Sequence, residues 1–452
     1  MNRYTGDFKV YPINNHFVDV RCEEEYLTEI NIKDGKIKYA TETPSSGIFI
    51  RIFKNNKWFM TSTTDEKNIK NKIKGLDELA DNVAHEKSGL KLNIDPIQDN
   101  LIKYEHLNPS KRKIKDKIEI LREYDEVIKK FKYIRSYQLV YNDKYLVKRI
   151  KNSLGTDIAY DKSICGFTLY FTAAEGGNMF SGSISIGNNT LDHLMNKEEA
   201  LKERLKEVKG FLKAKHVKEG SYTTVLSESA TGVFVHESFG HKSEADFMIG
   251  DKSSQNEWAI GEKVANEKVS IIDYGGLPAS CGYIPYDDEG VPSYKTYLVK
   301  DGVLSSRLHT LTTASLMGER PTGNGRSVDA EHEPIVRMTN TYMKRGDIPF
   351  EDMISDIKLG VYIKTVHSGF GMSTFTLTPG LSYMIRKGKI AEPVIVSAVA
   401  GSIFETLESI EAVSNDFKLI FNAQGGCSKL NQTKLPVGFG GPKIRIKSLE
   451  IS

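Results

Sequence analysis

The chain has 452 residues, 39% of them hydrophobic and 27% charged, with 62 basic against 59 acidic side chains and a formal net charge of +3. Such a length exceeds one small core and makes two domains the natural expectation, on an ordinary globular composition. The near-balance of charge excludes a dedicated nucleic-acid binder, which would carry a concentrated basic surface, and no stretch is long and apolar enough to span a bilayer.

In chain order, Met1-Asn2-Arg3-Tyr4-Thr5-Gly6-Asp7 lacks the apolar core of a secretion signal, so a cytoplasmic protein is expected. Cys22, Cys165, Cys281 and Cys427 show no paired spacing, which in a reducing compartment predicts thiols or metal ligands rather than disulfides. Phe49 to Thr61 alternates and turns at Asn55-Asn56, the pattern of a hairpin. Ile69, Ile73, Leu76, Ala80 and Val83 recur at helical spacing, as do Ile114, Ile118, Leu121, Ile128 and Phe131. Tyr137 to Val147 is extended, with a fold-back expected at Asn142-Asp143. Phe167–Phe171 and Phe180–Ile186 flank the turn signal Glu175-Gly176-Gly177-Asn178. The links are too short for crossovers, so these strands are expected to be antiparallel. Leu201, Leu205, Val208 and Leu212 form the stripe of an amphipathic helix, for which Asn196 is a plausible N-cap with Glu199 three residues on. A domain boundary is expected after it, near Lys215 to Gly220.

The second half reads as strands with short helical interruptions. Hairpins are expected at Asp301-Gly302 and Lys387-Gly388, extended segments at Val361–Val366, Thr374–Leu377 and Phe417–Phe421, and helices at Val233–Gly240, Phe350–Ile357 and Ser402–Ala412. The polar loop Gly318–Arg326 lacks the Gly-Lys-Ser/Thr pattern of a phosphate cradle. The fold class expected is α+β: a mixed α/β N-terminal domain with antiparallel strands over residues 1–217, and a mainly antiparallel β domain over residues 218–452.

The stretch Val235-His236-Glu237-Ser238-Phe239-Gly240-His241 concentrates the chemistry. Neutral imidazole is the commonest protein ligand for zinc, and a carboxylate beside a ligand can act as general base. The familiar zinc-peptidase pattern sets its histidines four apart; here they are five apart. In a regular helix five steps leave the rings roughly 140° apart around the axis, poorly aimed at one ion. A π-bulge restores one face, so a distorted helix is expected over Ser238–His241, with Gly240 supplying backbone freedom. A polar patch at a helix end is the competing reading. A third ligand is required, and Cys427, after a glycine pair, reads by itself more readily as a packed thiol than as a ligand.

Taken together, the motifs resemble the TldD/PmbA family. His236-Glu237-Ser238-Phe239-Gly240-His241 with Glu244 and Asp246 is similar to the TldD signature. Tyr286-Asp287-Asp288-Glu289-Gly290-Val291-Pro292 resembles a second block, and Pro321–Arg326 with Arg337-Met338-Thr339-Asn340-Thr341 a third. Cys427-Ser428-Lys429 with Gln432 and Pro436-Val437-Gly438 resembles the C-terminal block that carries the family's cysteine ligand. The acids flanking His332 depart from the family pattern.

The resemblance implies a zinc metallopeptidase with His236, His241 and Cys427 as ligands and Glu237 as base. It implies an enclosed chamber entered by unfolded or extended peptide, and a homodimer or a heterodimer with a TldE/PmbA-type subunit, without nucleic acid or membrane as partner. A second reading is a non-catalytic peptide-binding subunit with a vestigial motif. Tyr286, Arg326 and His332 are oxyanion candidates by residue type alone, and Glu244 and Asp246 are candidates to orient the histidines.

Overall fold

Strict alternation sets the first sheet. In β1 (Phe17–Lys33), Val18, Val20 and Cys22 lie on one face and Asp19, Arg21 and Glu23 on the other. A computed structural model describes residues 10, 12, 13, 16–84, 92 and 94–452. β2 (Lys36–Lys54) and β3 (Lys57–Thr63) follow, joined at Asn55-Asn56, whose φ values of 55° and 61° are those a two-residue primed turn requires. β4 (Gln98–Leu101), β5 (Ile134–Asn152), β6 (Asp157–Glu175) and β7 (Asn178–Asn188) complete a seven-stranded sheet in the order β3-β2-β1-β5-β6-β4, with β7 also beside β6. All pairs are antiparallel except β4 with β6.

Three helices cover the apolar face. α1 (Ile69–Asp81) lays Ile69, Ile73 and Leu76 on Val18, Ile50 and Ile52. α2 (Ile114–Lys129) and α3 (Glu198–Phe211) bury Leu121, Ile128, Leu201, Leu205 and Val208 against Leu139, Phe167 and Leu169. The other face turns charged groups, among them Arg21, Arg51 and Lys148, toward Asp288 and Glu289 of the second half.

Two local expectations fail. β5 runs unbroken through Asn142-Asp143, because Asp143 is a buried interior residue, paired with Lys117 at 2.8 Å, rather than a turn residue. Asn196 takes a positive φ of 57° and does not cap α3; Lys197 stands at its N-cap without a side-chain hydrogen bond. Val83 and Phe131 lie just beyond the helices they were expected to end.

The second half builds a ten-stranded and a six-stranded sheet. The hairpins at Asp301-Gly302 and Lys387-Gly388 form as expected, with positive φ at both residues of each turn. Val361–Val366 is interrupted, giving strands Leu359–Ile363 and Val366–Gly371, and Ser402–Ala412 divides into helix Ile403–Glu408 and strand Ile410–Val413. Pairing is mainly antiparallel, with parallel neighbours at Gly220–Leu226 with Leu359–Ile363, at Asn340–Met343 with Gly438–Gly441 and at Lys215–His216 with Lys389–Ile395. The architecture is thus α+β. Between the two sheets lies α4 (Glu228–Phe234), capped by Ser227, whose Oγ accepts from the N–H of Ala230 at 3.1 Å. Phe234 packs on Phe375 of one sheet, and Gly232 abuts the Gly440 backbone of the other. A single apolar core runs from Ile271 and Met343 through α4 to Leu377 and Val399.

Candidate metal centre

α4 does not end cleanly. It widens into a π turn over Val235–Gly240 and tightens into a 3-10 turn over His241–Ser243. The N–H of His241 bonds the carbonyl of His236, five residues back. The distortion is therefore present, and it begins three residues earlier than expected because the wide turn closes on His236 itself. Gly240 plays a different part from the one expected. Its φ of −60° and ψ of −54° are ordinary helical values, so no special backbone freedom is used. A Cβ there would lie 1.9 Å from Sδ of Met338, so the glycine is a packing requirement.

The π turn brings the two rings together, their centroids 5.3 Å apart. Cys427, on strand Cys427–Lys429, supplies the third donor, its Sγ 3.4 Å from Nε2 of His241. One ligand atom from each of His236, His241 and Cys427 lies within 4.8 Å of the others. His236 and Cys427 are both 4% exposed, and Nδ1 of His236 is buried without a hydrogen-bond partner. A buried polar atom left unpaired is costly unless something else binds it. Two imidazoles and a thiolate are a donor set suited to zinc, and three protein ligands match the count of a catalytic site. The residues fit the ion.

The electrostatics agree. Burial would push the Cys427 thiol up, but hydrogen bonds and charge from His236 and His241 outweigh it and bring it down to about 5. Burial would lower His241, yet Cys427 and Glu244 hold its proton up to about 10. Without metal the pair is thus a thiolate and an imidazolium. Glu237, half-buried on the same turn, is raised above the ordinary carboxylate range by burial, against the pull of both histidines.

A further layer of contacts holds His241 and Cys427. Nδ1 of His241 lies 3.0 Å from Oε2 of the fully buried Glu244, which also pairs with Lys429 at 3.1 Å. Lys429 in turn holds Asp246 at 2.6 Å and donates to the Val336 carbonyl. Asp246 therefore reaches the histidine only through Lys429. Because Lys429 follows Cys427 by two residues, one short strand carries both a candidate ligand and the counter-charge to the acid beside another. Arg337 donates to the Cys427 carbonyl at 2.6 Å. Lys429 and Arg337 were not singled out in the sequence; only the blocks containing them were.

The oxyanion candidates are engaged elsewhere. Tyr286 donates to Asp99, buried Arg326 donates to the Met338 and Pro436 carbonyls, and His332 lies 2.7 Å from Asp329. Cys165 and Cys281 are buried thiols, the latter pushed up to about 12 by burial. All four cysteines are free. No helix among the described residues is long and apolar enough to cross a membrane.

Beside the centre, Val366–Gly371 is an edge strand of the ten-stranded sheet. A Cβ on Gly369 would lie 3.1 Å from Cγ of Glu237 and nearer still to Val233, so the strand presses against the π turn. A cleft of about 790 Å³ opens here between the halves, lined by Ser183 and Ile186 of β7 and by Val233, His367 and Phe439.

Residues 219–452 match the model of a PmbA/TldA metallopeptidase C-terminal domain, residues 107–207 its central domain and residues 18–85 its first domain. A metalloprotease of Methanothermobacter thermautotrophicus is 32% identical over 96% of this chain and 94% of its own length. A zinc metalloprotease TldD homolog of Saccharolobus solfataricus is 27% identical over 98% of each. The solved structure of TldE from Thermococcus kodakarensis superposes with a TM-score of 0.79 over 96% of each chain at 16% identity, a likeness of fold.

Proposed function

Since the chain belongs to the PmbA/TldD metallopeptidase family, we propose that it is of the catalytic kind, a zinc-dependent peptidase that cleaves unfolded or extended peptides with Glu237 as base. The observation that carries this is the convergence of His236, His241 and Cys427 within 4.8 Å, with Glu237 on the same wide turn. Bound zinc would supply Lewis acidity, polarising the scissile carbonyl and acidifying water. His236, His241 and Cys427 hold it, and Glu244 keeps a proton on Nδ1 of His241 so that Nε2 is the free donor. The carboxylate of Glu237 takes a proton from the attacking water and returns it to the leaving amine. Its raised proton affinity suits both steps.

An extended peptide laid along the outer strand Val366–Gly371 would continue the sheet by main-chain hydrogen bonds, bringing a backbone carbonyl to the turn that bears Glu237. An unfolded or extended chain offers a backbone free on both edges more readily than a folded one does, which supports this substrate class. We propose the domain division 1–217 and 218–452; the chain joins the ten-stranded sheet just ahead of it, at Lys215–His216. The assembly proposed is a homodimer or a heterodimer with a TldE/PmbA-type subunit. Zinc content separates this from the second reading, a non-catalytic peptide-binding subunit, because only the first requires about one ion per chain.

Glu237→Ala is the direct test. Cleavage of an unfolded peptide should fall by about 10²- to 10⁴-fold with zinc content, measured by elemental analysis, unchanged. Wild-type cleavage by that variant would overturn the assignment of the base.

A further inference from the structure

A second, smaller space lies at the seam between the halves, and none of His236, His241 and Cys427 lines it. It measures about 40 Å³ and is lined by Tyr160 and Lys162 of β6, Lys144 and Lys148 of β5, Glu25 of β1, and Asp288 and Arg326 of the second half. That volume admits a particle or two of water size, and is far below the roughly 300 Å³ of an organic-ligand pocket. Sheet register builds it: Lys148 stands opposite Tyr160, and Leu146 opposite Lys162, so these side chains share the face that meets the second half.

Charge in this space does not close on itself. Lys144 pairs with Glu25 at 2.8 Å and Lys148 with Asp288 at 2.7 Å. Lys162 and Arg326 are left over. Lys162 donates to the Cys281 carbonyl, and Arg326 to the Met338 and Pro436 carbonyls. Among the described residues neither has a carboxylate within ion-pair reach. Both are buried, at 6% and 4% exposure. The hydroxyl of Tyr160, in a residue 1% exposed, has no hydrogen-bond partner. An uncompensated buried cation is strongly unfavourable, and an unpaired buried hydroxyl adds to it. Burial correspondingly drives the Lys162 ammonium well below its usual range.

We propose that this cavity binds one small monovalent anion of halide size, held by Lys162, Arg326 and the Tyr160 hydroxyl. The anion neutralises charge that protein groups leave open and accepts from the Tyr160 hydroxyl, which has no partner among the described residues. It also joins β6 to Arg326, which holds the Pro436 carbonyl just beyond the Cys427 hairpin. The seam behind the metal centre is thereby fastened by an ion other than zinc.

Full-length protein crystallised from sodium bromide tests this by anomalous scattering. One bromide peak is expected within hydrogen-bond distance of Nζ of Lys162 and Oη of Tyr160. In solution, the Tm should rise and saturate with sodium chloride relative to sodium gluconate at equal ionic strength. Lys162→Met should abolish that increment. Tyr160→Phe deletes only an unpartnered hydroxyl and should fold normally, with half-saturating chloride about 10-fold higher. Ordered water alone in the cavity, bromide at surface positions only, or the same chloride response in Tyr160→Phe as in wild type would each overturn the proposal.

Discussion

The molecule buries charge in two places by opposite rules. At the seam, Arg21 meets Glu23, Lys148 bridges Glu23 and Asp288, and Arg51 spans Asp19 and Glu289, mostly at 2.6–3.1 Å. Asp288 also accepts the N–H of Ser327 at 2.7 Å, and Glu289 that of Leu311 at 2.7 Å. At the candidate metal centre, ligand atoms of His236, His241 and Cys427 lie within 4.8 Å of one another, and Nδ1 of His236 has no protein hydrogen-bond partner. Opposite charges that satisfy each other hold a fold together. Electron-pair donors that converge on one point favour an ion they can share, here in competition with the proton that lies between His241 and Cys427. The same degree of burial is therefore structural among the paired seam charges and receptive at the metal centre, as it is beside those pairs at Lys162 and Arg326.

Substitutions should separate the two. Asp288→Ala leaves Lys148 and Arg21 to share Glu23 alone and should cost about 3 kcal/mol of stability, the low end for a broken buried pair, read as a lower denaturant midpoint, with the zinc content of the folded fraction unchanged. Burial alone would raise Asp288, but Lys148 and Arg21 hold it well below the carboxylate range. Its contribution is thus present above the unfolded value of about 3.9 and is lost as pH falls toward the folded one. A loss under 1 kcal/mol would show the seam to be incidental.

Cys427→Ala should do the reverse. One ligand's share of the roughly 10–16 kcal/mol that binds zinc in such sites is about 3 kcal/mol, a zinc affinity loss on the order of 10²-fold, measured by competition with a chelator. Unchanged zinc content would strike the sulfur from the ligand set. Lys429→Met comes next. With Glu244 no longer balanced, affinity should fall by about 10- to 100-fold, and combining it with Glu244→Gln should cost less than the sum of the two. Strict additivity would mean that Lys429 supports only the fold.

The two regions were also unequally legible. His236, Glu237 and His241 lie within six residues, so local spacing alone made the histidines candidate ligands and called for a π turn, which is present. Cys427 lies 186 residues from His241 and became a candidate ligand only through a resemblance. The helices over Ile69, Leu121 and Leu201 followed from period, and the hairpins at Asn55, Asp301 and Lys387 from turn chemistry. Asp143 misled because an aspartate beside asparagine is a turn signal unless a buried lysine 26 residues earlier claims it, and Lys117 does. The seam was invisible, since Lys148 and Asp288 are 140 residues apart and each looks like an ordinary surface charge. Gly240 was read as freedom when its neighbour Met338 required absence of a side chain.

The smallest expected effect is the most specific to the receptive region. In the metal-free protein His241 keeps its proton up to about 10 and Cys427 has already lost its own above about 5. Zinc must displace the proton on His241 to reach Nε2, so binding near neutral pH should release about one proton from this pair. Higher pH removes that competitor, and affinity should therefore rise about 10-fold per pH unit across the neutral range. Titration calorimetry in buffers of different ionisation enthalpy counts the protons directly. Glu244→Gln takes away one of the two groups holding the proton, so its slope should flatten at a lower pH than wild type. Asp288→Ala, whose charges meet no ligand, should leave the slope as it is; a changed slope there would mean that the seam and the centre share one electrostatic network after all.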